Sequence, residues 1–196
     1  MMYITNTNIK FDNQRLSDEI ISVVNDFPNT NQINIRKPPH ISDSLAITHG
    51  VGSLHIHNPK TNKDELVYDE YQWTHYITRF DNTYIQQIIE QIVPLAALNN
   101  QVITRARIMT LNPKTCLSYH MDVRRQIRYH IPVYTNNNCM FIINDMVERM
   151  SEIGTLYTLD STKIHTAINA SQTQKRIHIV INANIAPVLH PPSDIA

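Results

Sequence analysis

Beyond residue 100 the chain breaks into short segments whose apolar residues fall at every second position: QVITRARIMTL, RQIRYHIPVY, CMFIIND, GTLYTLD, HTAINA and KRIHIVINA. A repeat of two is the side-chain period of a β-strand, since neighbouring side chains leave a pleated backbone on opposite faces. The segments are rich in β-branched residues, and Asn, Pro, Ser and Gly clusters separate them. Six strands so closely spaced must close into a sandwich or barrel to bury their apolar faces, and a jelly roll is the leading expectation.

The first hundred residues follow another rhythm. In RLSDEIISVVNDFP, Leu16, Ile20, Val23, Val24 and Phe27 form one helical stripe, and Pro28 marks its end. A second stripe, Ile85, Ile88, Ile89 and Ile92, predicts another helix, capped by Asp81 or Asn82 and disturbed near its end by Pro94. SLAITHGVGSLHIHN and DELVYDEYQWTHYIT are expected to add outer strands or pocket loops. Glycine occurs only three times, and no Gly/Ser linker divides the chain. The expected organisation is one α+β domain, mainly β with N-terminal helices: helices and outer strands over 1–100, and the jelly-roll core over 101–185.

Seventeen basic residues balance seventeen acidic ones, so bulk charge offers no argument for a nucleic-acid or membrane-surface partner. Two cysteines are too few for a disulfide framework or a cysteine-rich zinc site. The start lacks the apolar core of a signal peptide, and no apolar run approaches the roughly 20 residues of a membrane span. These features predict a soluble, cytoplasmic protein whose partner must be read from a site.

That site lies in LSYHMDVRRQIRYHIPV, where two histidines, an aspartate and three arginines interrupt an apolar segment. His120 and Asp122 stand two apart, so on a strand they share a face. His-x-Asp alone is weak evidence, but His165 opens a later strand and supplies a third ligand. Two imidazoles and a carboxylate on one face suit an open-sided iron(II) site, with the opposite positions left for substrate and oxygen. A zinc hydrolase could use the same three ligands. Arg176, 11 residues after His165, separates the two readings. It alternates with Ile177, Ile179 and Ile181, so if the isoleucines face a hydrophobic layer, Arg176 faces a cavity. A guanidinium in a partly dry pocket grips a carboxylate with two parallel charge-assisted bonds, which implies a small dicarboxylate ligand.

In order, His120-x-Asp122, Arg128-x-His130-x-Pro132, Gly154, Asp160, His165, Asn169 and Arg176 resemble the aspartyl/asparaginyl β-hydroxylase branch of the iron(II), 2-oxoglutarate-dependent dioxygenases, over roughly Arg105 to Ala183. The resemblance implies a double-stranded β-helix, the jelly-roll form that cupins share. It implies Fe(II) held by His120, Asp122 and His165, 2-oxoglutarate anchored by Arg176, and cosubstrate contacts from Arg128 and His130. The implied reaction consumes O2 and 2-oxoglutarate, hydroxylates an unactivated C–H of an amino-acid side chain, and releases succinate and CO2. The substrate would be a protein or peptide residue such as Asp, Asn or Pro, or a free amino acid. Some members have glycine at the place of Asp122, so the carboxylate aligns this chain with the three-ligand members and against a halogenase. The family's serine contact falls near Met109, with Arg107 or Thr110 as replacements.

Other residues carry plainer readings beside sharper ones. Arg124 and Arg125 belong by default to a solvated loop, with a substrate-carboxylate contact as the alternative. Trp73 either lines the substrate mouth or packs. Asp160 and Asn169 are assigned to turns, and His49, His55 and His57 to exposed strand positions. Two rival functions use the same barrel: a non-catalytic cupin-like binding protein, which would lack a ligand or the arginine, and a zinc-dependent hydrolase, which would need an extra carboxylate near the metal.

Overall fold

The computed structural model describes residues 2–122 and 126–187. In chain order the elements are β1 (Ile4–Lys10), α1 (Asn13–Asp26), β2 (Gln32–Asn34), β3 (Arg36–Lys37), α2 (Asp43–Ala46), β4 (Leu54–Asn58), β5 (Lys63–Tyr68), β6 (His75–Tyr76) and α3 (Tyr84–Ala97), with 3-10 turns at Glu70–Gln72 and Thr78–Phe80. Then come β7 (Gln101–Leu111), β8 (Thr115–Cys116), β9 (Gln126–Tyr134), β10 (Cys139–Ile143), β11 (Met146–Glu148), β12 (Thr155–Asp160), β13 (His165–Asn169) and β14 (Arg176–Ile185).

Two antiparallel sheets form the jelly roll. The larger has the order β1-β12-β9-β14-β7-β2 and the smaller β11-β10-β13-β8. Strand alternation sorts the large sheet's residues into two layers. On the outer face Ala106, Ile108, Tyr129, Ile131, Val133, Ile177, Ile179 and Ile181 pack with Leu16, Ile20 and Val23 of α1 and Ile85, Ile88, Ile89 and Ile92 of α3. On the inner face a smaller cluster, including Leu111, Phe141, Tyr157, Leu159 and Ala167, joins the two sheets. Arg107 of β7, Arg128 and His130 of β9 and Arg176 of β14 share that inner space.

The six segments read as strands form β7, β9, β10, β12, β13 and β14. Helix α1 starts at Asp12, whose carboxylate accepts from the backbone N–H of Gln14 and Arg15. The cap of α3 differs from expectation: it is Thr83, whose hydroxyl accepts from Gln86 N–H at 3.2 Å. Asn82 instead takes a left-handed turn at φ 59°, so the extended backbone an N-cap requires falls one residue later. The helix passes through Pro94 to Ala97, and Pro94 lies close enough to its end that one lost backbone bond does not stop it.

Strand β1 pairs with β12 at the edge of the large sheet, although its sequence carries too few apolar residues to announce a strand. The segment at 44–58 forms the end of α2 and then β4, which pairs with β5 as an exposed two-stranded hairpin. Gly154 closes the approach to β12: at φ 70°, a Cβ there would meet the Phe11 carbonyl at 2.8 Å. Among the described residues no helix is long and apolar enough to cross a membrane.

Candidate metal centre and its cavity

The candidate metal ligands are brought together by one irregular strand running along β13. β8 pairs with the C-terminal end of β13, Leu117 N–H donates to Ala167 O at 3.0 Å, and His120 and His165 then form an isolated antiparallel bridge with bonds of 3.1 and 2.9 Å. The bridge sets their rings side by side, with centroids 4.4 Å apart. Asp122 follows two residues on, its backbone N–H tied to Ser161 O at 3.2 Å. One atom from each of His120, Asp122 and His165 lies within 4.8 Å of the others.

Hydrogen bonds orient all three toward that common point. The Nδ1 of His120 is 2.8 Å from Ser118 O, and the Nδ1 of His165 is 2.8 Å from Lys163 O. Each Nδ1 must carry the proton, which leaves Nε2 with its lone pair free to bind a metal. Burial pushes the His165 imidazole below its ordinary range, in keeping with a neutral ligand. Asp122 Oδ1 accepts from Arg128 Nη2 at 2.5 Å, whereas Oδ2 is buried with no partner. A buried carboxylate oxygen left unpaired is costly unless a ligand completes it. Two free imidazole nitrogens and one orphaned carboxylate oxygen fit a divalent metal of borderline softness.

The cavity beside these ligands has a volume of about 330 Å³. Arg107 and Met109 of β7, Arg128 and His130 of β9, Phe141 of β10, and Arg176 and Val180 of β14 contribute to its lining. Arg176 is only 5% exposed. Its guanidinium carbon lies 4.6 Å from the Phe141 ring centroid, and two of its nitrogens lie 3.1 Å from the ring nitrogens of His178. Burial lowers its pKa to about 10, although the nearby Cys139 partly opposes the shift. His130 is 5% exposed, and both its ring nitrogens lack partners. Burial, reinforced by Arg176 and Arg128, holds His130 neutral, its pKa well below the usual 6.5.

His120, His165, Arg176, Arg128 and His130 line one cavity, and Asp122 joins the two histidines beside it. Arg128 reaches it as the ion-pair partner of Asp122, a contact the sequence pattern does not contain. Met109 and Arg107 line the cavity, while Thr110 is not among its lining residues. Arg107, one of the two replacements the resemblance offers for the serine contact, also stands out as one of two basic residues at alternate positions in an otherwise apolar strand. The contribution of His178 was missed, since nothing local distinguishes it from a packing residue.

Trp73 is not brought to the cavity. Its side chain is fully buried, its Nε1 donates to Gly52 O at 2.7 Å, and Arg105 stacks over it at 4.8 Å. Packing beneath the 50–53 turn explains it, and it cannot meet a substrate at the mouth. Arg124 and Arg125 lie outside the described residues. Asn169 clamps the turn before β14, donating to Leu111 O and Gln174 O and accepting from Ser171 N–H. Asp160 accepts from the Thr162 N–H and hydroxyl. His57 pairs with Asp64 at 3.2 Å on the exposed hairpin.

Solved structures share this fold at low identity. AviO1 from Streptomyces viridochromogenes Tue57 matches with a TM-score of 0.54 and 14% identity, over 96% of this chain and 91% of that one. EvdMO1 gives 0.55 and 15%, over 92% of this chain and 46% of that one. An oxidoreductase of the 2OG-Fe(II) oxygenase family from Burkholderia pseudomallei gives 0.50 and 11%, over 93% and 86%. No curated protein matches the chain. The family profile described as Aspartyl/Asparaginyl beta-hydroxylase matches residues 51–184, beginning well before the motif run near Arg105. That stretch is more than half of the chain and contains every cavity residue named above, so this protein belongs to the aspartyl/asparaginyl beta-hydroxylase family.

Proposed function

We propose that the protein is an Fe(II)- and 2-oxoglutarate-dependent dioxygenase that hydroxylates an unactivated C–H of an amino-acid side chain, in a protein, a peptide or a free amino acid. The observation that carries this reading is the pairing of His120, Asp122 and His165, converging within 4.8 Å, with a buried guanidinium in the same cavity that has no carboxylate partner among the described residues. A hydrolase would need a second carboxylate beside the metal to activate water, and no glutamate is among the residues lining the cavity.

Iron(II) would be held by the Nε2 atoms of His120 and His165 and by Asp122 Oδ2. Once bound with 2-oxoglutarate it supplies the oxidising chemistry, in which one oxygen atom of O2 ends in succinate, the other in the new hydroxyl, and CO2 is released. The chain contributes placement. Arg176 offers its fork to the distal carboxylate of 2-oxoglutarate, in surroundings dry enough to strengthen a charge-assisted pair. His178 and Phe141 restrict the guanidinium's rotation, so little orientational entropy is lost on binding. Neutral His130 can donate one hydrogen bond to a cosubstrate oxygen, and Arg128 engages Asp122 Oδ1, which leaves Oδ2 available to hold the metal.

The test is anaerobic addition of Fe(II) and 2-oxoglutarate to metal-free protein, watching for the weak visible charge-transfer band of a chelated keto acid. The band is expected in wild type, and Arg176→Ala should require about 30-fold or more 2-oxoglutarate to reach it, the penalty typical of losing one partner of a buried charge pair. Bound iron without a band in wild type would sink the proposal.

A further inference from the structure

Among the described residues three arginines line the cavity. Arg128 is committed to Asp122, and Arg176 is assigned to the cosubstrate by the proposed function, on which the present inference rests. Arg107 is left. It projects from β7 opposite Val180 of β14 and is only 8% exposed.

Its surroundings hold it in place without neutralising it. Nη2 donates to Asn182 Oδ1 at 3.1 Å and Nη1 to Gln32 Oε1 at 3.3 Å, both uncharged amides. The Asn182 amide is itself fixed, because its Nδ2 donates to Glu70 Oε1 at 2.7 Å and so turns Oδ1 toward Arg107. The Nε of Arg107 is buried with no partner. Among the described residues no carboxylate forms an ion pair with it: Asp122 is held by Arg128, and Glu70 accepts from Asn182 and Thr104. Burial pushes the Arg107 pKa well below its ordinary value, with Arg105 and Arg128 adding to the effect and Glu70 and Asp122 partly opposing it.

A bound iron(II) and a bound 2-oxoglutarate would cancel in charge. Among the described residues three guanidiniums would then face the Asp122 carboxylate, with Glu70 set behind the Asn182 amide that holds Arg107. A buried, oriented and unpaired cation is unfavourable in the empty protein and becomes favourable when an anion reaches it. We propose that Arg107 is the substrate-recognition cation of this cavity, and that the substrate presents a carboxylate to it while the carbon to be hydroxylated lies beside the metal. That carboxylate can be the α-carboxylate of a free amino acid or the side chain of an acidic residue.

The experiment uses the full chain loaded anaerobically with Fe(II) and 2-oxoglutarate. Free L-amino acids, their N-acetyl amides, N-acetyl-aspartate amide and N-acetyl-asparagine amide are each added, and the visible band is followed for a shift. Carboxylate compounds are expected to shift the band and the matching carboxamides to leave it unchanged. A response confined to free amino acids identifies the α-carboxylate, and a response to N-acetyl-aspartate amide identifies an acidic side chain. In Arg107→Gln the apparent affinity for the responding compound should fall about 30-fold or more while the 2-oxoglutarate requirement stays as in wild type. Arg107→Lys, which keeps the charge and loses the fork, should fall between. The proposal is overturned if carboxamides respond equally, if no carboxylate shifts the wild-type band, or if Arg107→Gln raises the 2-oxoglutarate requirement as Arg176→Ala does. Absence of the band from wild type before any of these compounds is added would remove the proposed function itself, and this assignment with it.

Discussion

The two faces of the large sheet come from the same strands and have opposite chemistry. On β9, Tyr129, Ile131 and Val133 face the helices, while Arg128 and His130 face the cavity. On β14, Ile177, Ile179 and Ile181 face outward, and Arg176 and Val180 face inward. The outer layer is a packed, predominantly apolar core. The inner layer gathers buried cations and neutral imidazoles that the apolar layer could not tolerate. Stability thus resides mainly on one face of the sheet and binding chemistry on the other, and a substitution on one face should leave the other's property largely intact.

That separation can be attacked directly. The largest effect is expected from Asp122→Ala, which removes a ligand atom from the inner face. Iron(II) affinity, measured by anaerobic titration calorimetry, should fall by more than the roughly 10–100-fold that loss of an outer-sphere partner costs. On the outer face, Ile131→Ala should cost about 2–5 kcal/mol in denaturant unfolding, because Ile131 is fully buried between sheet and helices. The folded variant should bind iron(II) as wild type does. A large loss of metal affinity in Ile131→Ala would show that the faces are coupled.

The separation is sharpened by pH, because the inner face also bears on stability through proton binding. Burial holds His130 and His178 neutral in the folded protein, far below the 6.5 of an exposed imidazole, with Arg176 the leading charged neighbour in both cases. Above about pH 6.5 neither the folded nor the unfolded state protonates them, and their contribution is flat. Below it the unfolded chain takes up protons that the folded chain refuses, so stability falls, by up to about 1.4 kcal/mol per pH unit for each histidine. Unfolding of the metal-free protein at pH 7 and 5.5 measures the fall, and His178→Asn should reduce it. An equal fall in that variant would exclude His178 as a source. The smallest effect belongs to the outer layer's edge: Asp12→Ala removes the cap of α1 and should lower stability by about 1 kcal/mol with no change in metal binding.

Much of this was legible in the amino-acid order because it is local. Alternation alone separated Arg176 from its isoleucine neighbours and Arg128 from Ile131, and the spacing of His120, Asp122 and His165 pointed to a ligand set. Helix α1 was announced by its stripe and by Pro28. β1 was harder to see, since an edge strand with mostly polar residues owes its form to β12 rather than to its own pattern.

The sequence by itself determined which residues share a face, since a period of two or 3.6 follows from backbone geometry within each segment. Only the tertiary structure decided what each face meets. It buried Trp73 beneath a turn, joined Arg128 to Asp122, and left Arg107 without an ion pair among the described residues. Those outcomes depend on which strands become neighbours and in what register, and charge pairing across a cavity is a property of that non-local arrangement.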